Sequence, residues 1–320
     1  MVMESTCEKR CLTVAPPNEL SFMTASLSTA FILTNIPGNI LIFLAVVLDP
    51  NKNLRTPFNW LIVNLSAADF IVAIITEPLS VYYHIKEGLG EHGPEEIISL
   101  IHLTYFISCT ASILSLTSLA VERYLAVRRP STYRNKVTNQ RIPTTIAMIW
   151  LISLSLPNIY FIVGFTAYAF IFVNAFIVVA VVIIVINYTL MRRKLRYRGK
   201  NSETTAPNEA RVNRISESED QSSVNKNCIE IKKQLLEAKI TQMFQIVITA
   251  LLCCYGLSTV MMYLVNFCHD CSCASIHWFR DLHVLLILMN SSINFFCYAL
   301  RSARFRSAFV KLLYGSIPCS

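Results

Sequence analysis

Of the 320 residues, 54% are hydrophobic and only 15% are charged, the formal net charge is +8 and the mean hydropathy is +0.49. A water-soluble domain normally carries about a quarter charged residues. This composition therefore excludes an ordinary soluble globular domain, and a lipid bilayer is the simplest solvent for the apolar surplus.

Residues 1–20 hold charges and prolines in place of the apolar stretch of a cleavable signal, so the first span is expected to serve as the insertion signal. A spanning helix needs about 20 mostly apolar residues, because each adds 1.5 Å across about 30 Å of hydrocarbon. Runs of that kind lie at 21–48, 57–83, 97–121, 143–163, 166–191, 240–266 and 282–300. Residues 143–191 carry no charge at all, which is too long for one span, and Pro157, Asn158 and Gly164 mark the expected fold-back. The fold class read from this pattern is an all-α membrane protein, a seven-transmembrane helix bundle with a short amphipathic eighth helix over 302–314. It is read as one domain over 1–320. Its parts are an extracellular segment 1–20, spans one to five within 21–194, a flexible cytoplasmic loop 195–235, spans six and seven within 236–300, and an amphipathic helix and short cytoplasmic tail over 301–320. The loop is polar, rich in Ser, Asn, Lys and Glu, with little apolar periodicity. Twenty-four Lys and Arg fall on one side of these spans, against Lys9, Arg10, Lys86 and Arg280 on the other. Positive residues concentrate in the cytoplasm, so the N-terminus is expected outside and the C-terminus inside.

Amide and ionisable side chains within a span are costly and face the bundle or a water-filled cavity. Asn39, Asp69, Asn290 and Asn294 are of this kind. Taken singly, each reads as an interhelical hydrogen bond.

Taken in order along the chain, these residues and their neighbours resemble the rhodopsin-like (class A) G-protein-coupled receptors. Gly38-Asn39 lies in span one and Asn64-Leu-Ser-Ala-Ala-Asp69 in span two. Glu122-Arg123-Tyr124 ends span three and Pro130 follows. Trp150 marks span four, Tyr188 span five, and Asn294 with Tyr298 span seven, and Phe305 opens the amphipathic helix. The chain also departs from the family pattern. Ala180, Gly256-Leu257 and Phe295 stand where prolines are usual, Tyr255 where tryptophan is usual, and Ile98 where a cysteine anchors the common bridge. Ser131 replaces a bulky apolar residue of the second inner loop. The short fourth-to-fifth connection resembles the melanocortin, cannabinoid and lysophospholipid group, with adenosine receptors as relatives.

The resemblance implies a receptor rather than an enzyme, set in the plasma membrane, answering an extracellular ligand and coupling to a heterotrimeric G protein, with arrestin and a receptor kinase as further partners. No nucleic acid is expected. Its switch set would be Glu122, Arg123, Tyr124, Tyr188, Glu237, Asn294 and Tyr298, with Arg123 pairing with Glu122 and reaching Glu237 until span six swings outward. Asp69, Ser112, Asn290, Ser291 and Asn294, with Asn39 nearby, resemble the family's sodium cluster. That would make sodium an allosteric ligand in a chain otherwise without cofactor; a protonated Asp69 bonded to the asparagines is the alternative. The ligand pocket would be lined by Glu77, Tyr105, Cys109, Tyr255, Ser258, Met262, Val284 and Leu288. Tyr105 stands where amine receptors have aspartate, and Leu288 where opsins have lysine, which points to a peptide or lipid-like ligand. Glu87, Glu91, Glu95, Glu96, Asp270 and Asp281 form an outer acid set, either an attractor of basic peptides or a solvated rim.

Cysteines Cys7, Cys11, Cys268, Cys271 and Cys273 are extracellular in this topology and free to oxidise. One bridge within the last loop and one to the N-terminal segment fits, although five cysteines leave one over and pairing is not readable from sequence. With His269 and His277 they also suggest a zinc site. Cys109, Cys253, Cys254 and Cys297 read as packing residues, and Cys319 as a palmitoylation site. The alternatives to a ligand-gated receptor are a receptor-like protein that is constitutively active or silent, and, more distantly, a transporter.

Overall fold

In the computed structural model the described residues are 11, 14–91, 94–128, 141–186, 188–189, 192, 246–250 and 252–315. Among them are seven helices long and apolar enough to cross a membrane. We label them α1 (Asn18–Leu48), α2 (Pro57–Gly88), α3 (Glu95–Arg128), α4 (Arg141–Val163), α5 (Ala167–Ile186), α6 (Ile246–Phe267) and α7 (Cys273–Arg301), followed by α8 (Ala303–Tyr314).

Local chemistry sets the helix ends. The α1 chain reverses at Asp49, which takes a left-handed conformation with φ 43°. Its carboxylate accepts the backbone N–H groups of Asn53 (2.9 Å), Leu54 (3.0 Å) and Arg55 (3.4 Å). Burial raises its pKa, yet the three N–H donors and nearby Arg55 outweigh that and hold it below the ordinary carboxylate value. Thr56 caps α2 by accepting from the Asn59 N–H, with Pro57 at the first helical position, where a missing N–H costs nothing. Ser272 and Ser302 cap α7 and α8 in the same way. Gly164, at φ 81°, separates α4 from the helix that begins at Phe165 and becomes α5. A side chain there would strain that backbone.

Two spans widen by a π turn, at Val72–Thr76 in α2 and Phe172–Ile177 in α5. In α2 the widened turn ends two residues before Pro78, which has no N–H to continue the ladder. The helices wear Leu33, Leu151, Ile162, Val179 and Leu300 outward, while Ile62, Leu65, Phe106, Leu116, Tyr255 and Tyr298 are almost fully buried. An apolar exterior around a packed interior is what a bilayer solvent demands. α8 folds under the bundle, burying Phe305, Ala308 and Phe309.

Candidate functional site

The interior polar groups form three tiers along the bundle axis. At the α8 end, Arg123 holds Glu122 with two parallel hydrogen bonds, Nε to Oε2 at 2.6 Å and Nη2 to Oε1 at 2.8 Å. Its guanidinium lies 4.0 Å from the ring centre of Phe58 on α2. A bidentate pair stacked on an aromatic face, shielded from water, is strong and directional. The Tyr298 hydroxyl is buried and has no hydrogen-bond partner among the described residues, while its ring packs on Phe305 of α8. Tyr188 lies apart from this group: its hydroxyl accepts from Arg192 of its own helix at 3.4 Å. Tyr124 is half-buried beside Arg123 in sequence. Glu237 lies outside the described residues.

The middle tier centres on Asp69, which is fully buried. Ser112 of α3 donates to Oδ1 at 3.3 Å and Asn294 of α7 donates to Oδ2 at 2.9 Å. Ser291 is a further hydrogen-bonding neighbour. Three helices thus converge on one carboxylate. Asn290 is buried but does not bond to Asp69, and Asn39 spends its amide on the Asn35 carbonyl of its own helix at 3.1 Å. Asn64 completes the tier from a different side, donating to Ser115 (2.8 Å) and accepting the Trp150 indole N–H (2.8 Å), which ties α2, α3 and α4 together.

In the third tier Tyr105, Cys109, Tyr255, Ser258, Met262 and Leu288 are all buried and turned into the bundle. The Tyr105 hydroxyl meets His283 Nε2 at 3.2 Å, and His283 Nδ1 lies 2.7 Å from Ser258 Oγ. His283 was not foreseen; the sequence reading chose Val284, which is only half-buried. Consecutive helical residues point about 100° apart, so a one-residue slip exchanges a lining residue for a flanking one. Glu77 belongs elsewhere. It turns to α1 and accepts from Asn35 at 2.6 Å, leaving its Oε2 without a partner among the described residues. Beside this tier the interior is filled by aromatics: Phe106 packs edge-on to Tyr168 (4.6 Å) and Phe172 (5.4 Å), and His102 stacks on Phe165 at 3.9 Å.

One residue that departs from the pattern, Phe295, has a packing reason. A Cβ added at Gly38 would come within 2.6 Å of the Phe295 ring, so Phe295 occupies a hollow that only glycine provides. Among the described residues there are two disulfides, Cys11–Cys273 and Cys268–Cys271, while Cys7 and Cys319 lie outside them. Bridged cysteines have no thiolate to offer a metal, and His277 instead bonds the Val14 carbonyl at 2.9 Å, so the zinc site suggested around them is not assembled there. The outer acids are not uniformly a solvated rim either: Asp281 is 2% exposed and paired with Arg280 at 2.9 Å.

Residues 38–168 match the family model described as 7 transmembrane receptor (rhodopsin family). Over 148 residues, 46% of the chain, it is 37% identical to an octopamine receptor of Heliothis virescens, covering 30% of that protein. Over 138 residues, 41% of the chain, it is 34% identical to the D(2) dopamine receptor A of Xenopus laevis, covering 29% of it. The matched stretches thus span less than a third of the length of these relatives, which are receptors and not enzymes.

Proposed function

We propose that this chain, which belongs to the rhodopsin-like family of seven-transmembrane receptors, passes an extracellular signal to heterotrimeric G proteins by releasing Arg123. The observation that carries the reading is the closed pair Glu122–Arg123 over Phe58, with the Tyr298 hydroxyl buried toward the same end of the bundle and without a hydrogen-bond partner among the described residues. A buried hydroxyl costs free energy until it is bonded, so a second arrangement that gives Tyr298 a partner is favoured as soon as the helices move. Two discrete arrangements with different partners are what a ligand needs to bias. The excess of Lys and Arg on the α8 side supports a cytoplasmic α8 and an extracellular N-terminus in the plasma membrane.

For the ligand, the relatives' names point to amines, while the residues here favour a peptide or lipid-like molecule. An ammonium in water-poor surroundings needs an accessible carboxylate. The third tier presents Tyr105, His283 and Ser258 instead, and Glu77 is bonded to Asn35. Sodium at Asp69, with Ser112, Ser291 and Asn294 supplying neutral oxygens, fits the preference of small hard cations for oxygen donors.

The test is ligand-free second-messenger output in cells carrying the wild type or Arg123→Ala at equal surface expression, with a G protein fused to the C-terminus to raise the signal. A wild-type signal that falls to background in the variant supports the switch; one that survives removes Arg123 from it. A second reading, a receptor fold that no longer switches, is favoured by Phe295 filling the Gly38 hollow and pinning α7 to α1. It predicts no signal from either protein even when fused.

A further inference from the structure

At the end of the bundle that carries Cys11, α2 and α7 bring together His84, Glu87 and Asp281, with one ligand atom from each within 4.8 Å of the others. His84 and Asp281 are buried and Glu87 is half-buried, so this is not a solvated acid patch. The orientation of the imidazole is fixed. His84 Nδ1 lies 2.7 Å from the Ser80 backbone carbonyl, which can only accept, so Nδ1 carries the hydrogen. Nε2 then faces Asp281 Oδ2, 3.7 Å away, and in the singly protonated ring it is a lone pair that points at that oxygen. A lone pair facing a carboxylate oxygen is repulsive unless a cation lies between them. A histidine that donates its other N–H to a backbone carbonyl is the arrangement in which metal-binding imidazoles are held.

The remaining contacts hold the two carboxylates in place, and a carboxylate oxygen that accepts one hydrogen bond keeps a second lone pair for an ion. Arg280 donates to Asp281 Oδ1 (2.9 Å) and reaches Glu87 Oε1 (3.5 Å), Tyr83 donates to Glu87 Oε1 (3.3 Å), and Ser21 donates to Glu87 Oε2 (2.8 Å). Asp281 Oδ2 accepts from the Thr24 hydroxyl at 3.2 Å and faces His84. With Arg280 counted, the cluster around a neutral imidazole carries one net negative charge.

We propose that His84, Asp281 and Glu87 form a binding site for a divalent cation of the zinc type, bridging α2 and α7. One imidazole nitrogen and two carboxylate oxygens, with water as a fourth ligand, suit zinc, whose bonds of about 2.0–2.2 Å to such atoms require the three to draw in by a small amount. A bound ion would tie α2 to α7 and, through Thr24 and Ser21, to α1.

The experiment titrates buffered zinc into the full-length chain in lipid nanodiscs, in competition with a chromophoric chelator. Wild type is expected to take up one equivalent that is weakened at least about tenfold in His84→Ala and in Glu87→Gln. It should be unchanged in His277→Ala and restored in His84→Cys, which keeps a ligand at that position. Glu87→Gln preserves size and keeps one acceptor oxygen for Tyr83 and Arg280 at a partly exposed site, so it tests the proposal even where His84→Ala does not fold. No uptake by wild type, as expected if a proton on His84 bridges to Asp281, overturns the proposal. So does an isotherm that Glu87→Gln leaves unchanged, which would assign the zinc to other histidines or to the free thiols.

Discussion

The α1–α2–α7 side of the bundle and the α3–α4–α5 side are held by different forces. On the first, buried polar pairs between helices recur at every level: Asn35 with Glu77, Asp69 with Asn294, and Thr24 with Asp281. On the second, Phe106, Tyr160, Phe165, Tyr168 and Phe172 pack ring against ring. In lipid, polar contacts have no water to compete with them but are costly to leave half-made. They therefore fix register and permit few alternative arrangements. Aromatic packing is less particular about geometry and tolerates small sliding. The first side is the frame; the second is the side that can repack.

Breaking the frame should cost most. Replacing both Cys11 and Cys273 by serine removes a cross-link between residues 262 apart, with an expected loss of about 3 kcal/mol, read as a fall in the thermal unfolding midpoint in detergent that is absent when the protein is already reduced. Gly38→Val drives a branched side chain into Phe295 and should cost about 2 kcal/mol. Adding Phe295→Ala should recover most of that, and a double variant no better than Gly38→Val would break the claimed complementarity. On the aromatic side, Phe106→Leu should cost about 1 kcal/mol, the worth of its edge-to-face partners, while changing ligand or basal response more than a frame substitution of equal cost. The smallest effect is expected at Asp49. A carboxyl held below its ordinary value contributes stability that is complete above about pH 4 and is lost as pH falls through the folded value. Asp49→Asn should flatten that acid limb in a pH series of unfolding midpoints.

Much of the fold was legible because a bilayer leaves so few options. Uncharged runs and the Gly164 break are local signals, and each has its counterpart in a helix or a turn. The uncharged run 282–300 marks only part of span seven, because α7 starts at Cys273. Arg280 and Asp281 read as loop charges along the chain, yet they neutralise each other inside the helix, and an ion pair removes most of the penalty that a lone charge would incur. The upper site was half legible for a similar reason. Tyr105, Cys109, Ser258 and Met262 are typical inward residues, but His283 depends on the exact rotation of α7, and Glu77 on the availability of Asn35 across the interface.

Composition and the spacing of charges settle that this is a seven-span membrane protein, because the cost of a charge in hydrocarbon is local and is paid residue by residue. The order of short motifs settles which family it resembles. Which polar groups meet is another matter. Asp69 joins Ser112 and Asn294 but not Asn39, Glu77 turns to Asn35, and His84 faces Asp281. Those pairings join residues from 42 to 225 positions apart. They follow from how each helix is rotated and how far it is pushed along its neighbours, and those are set by the packing of all the spans at once.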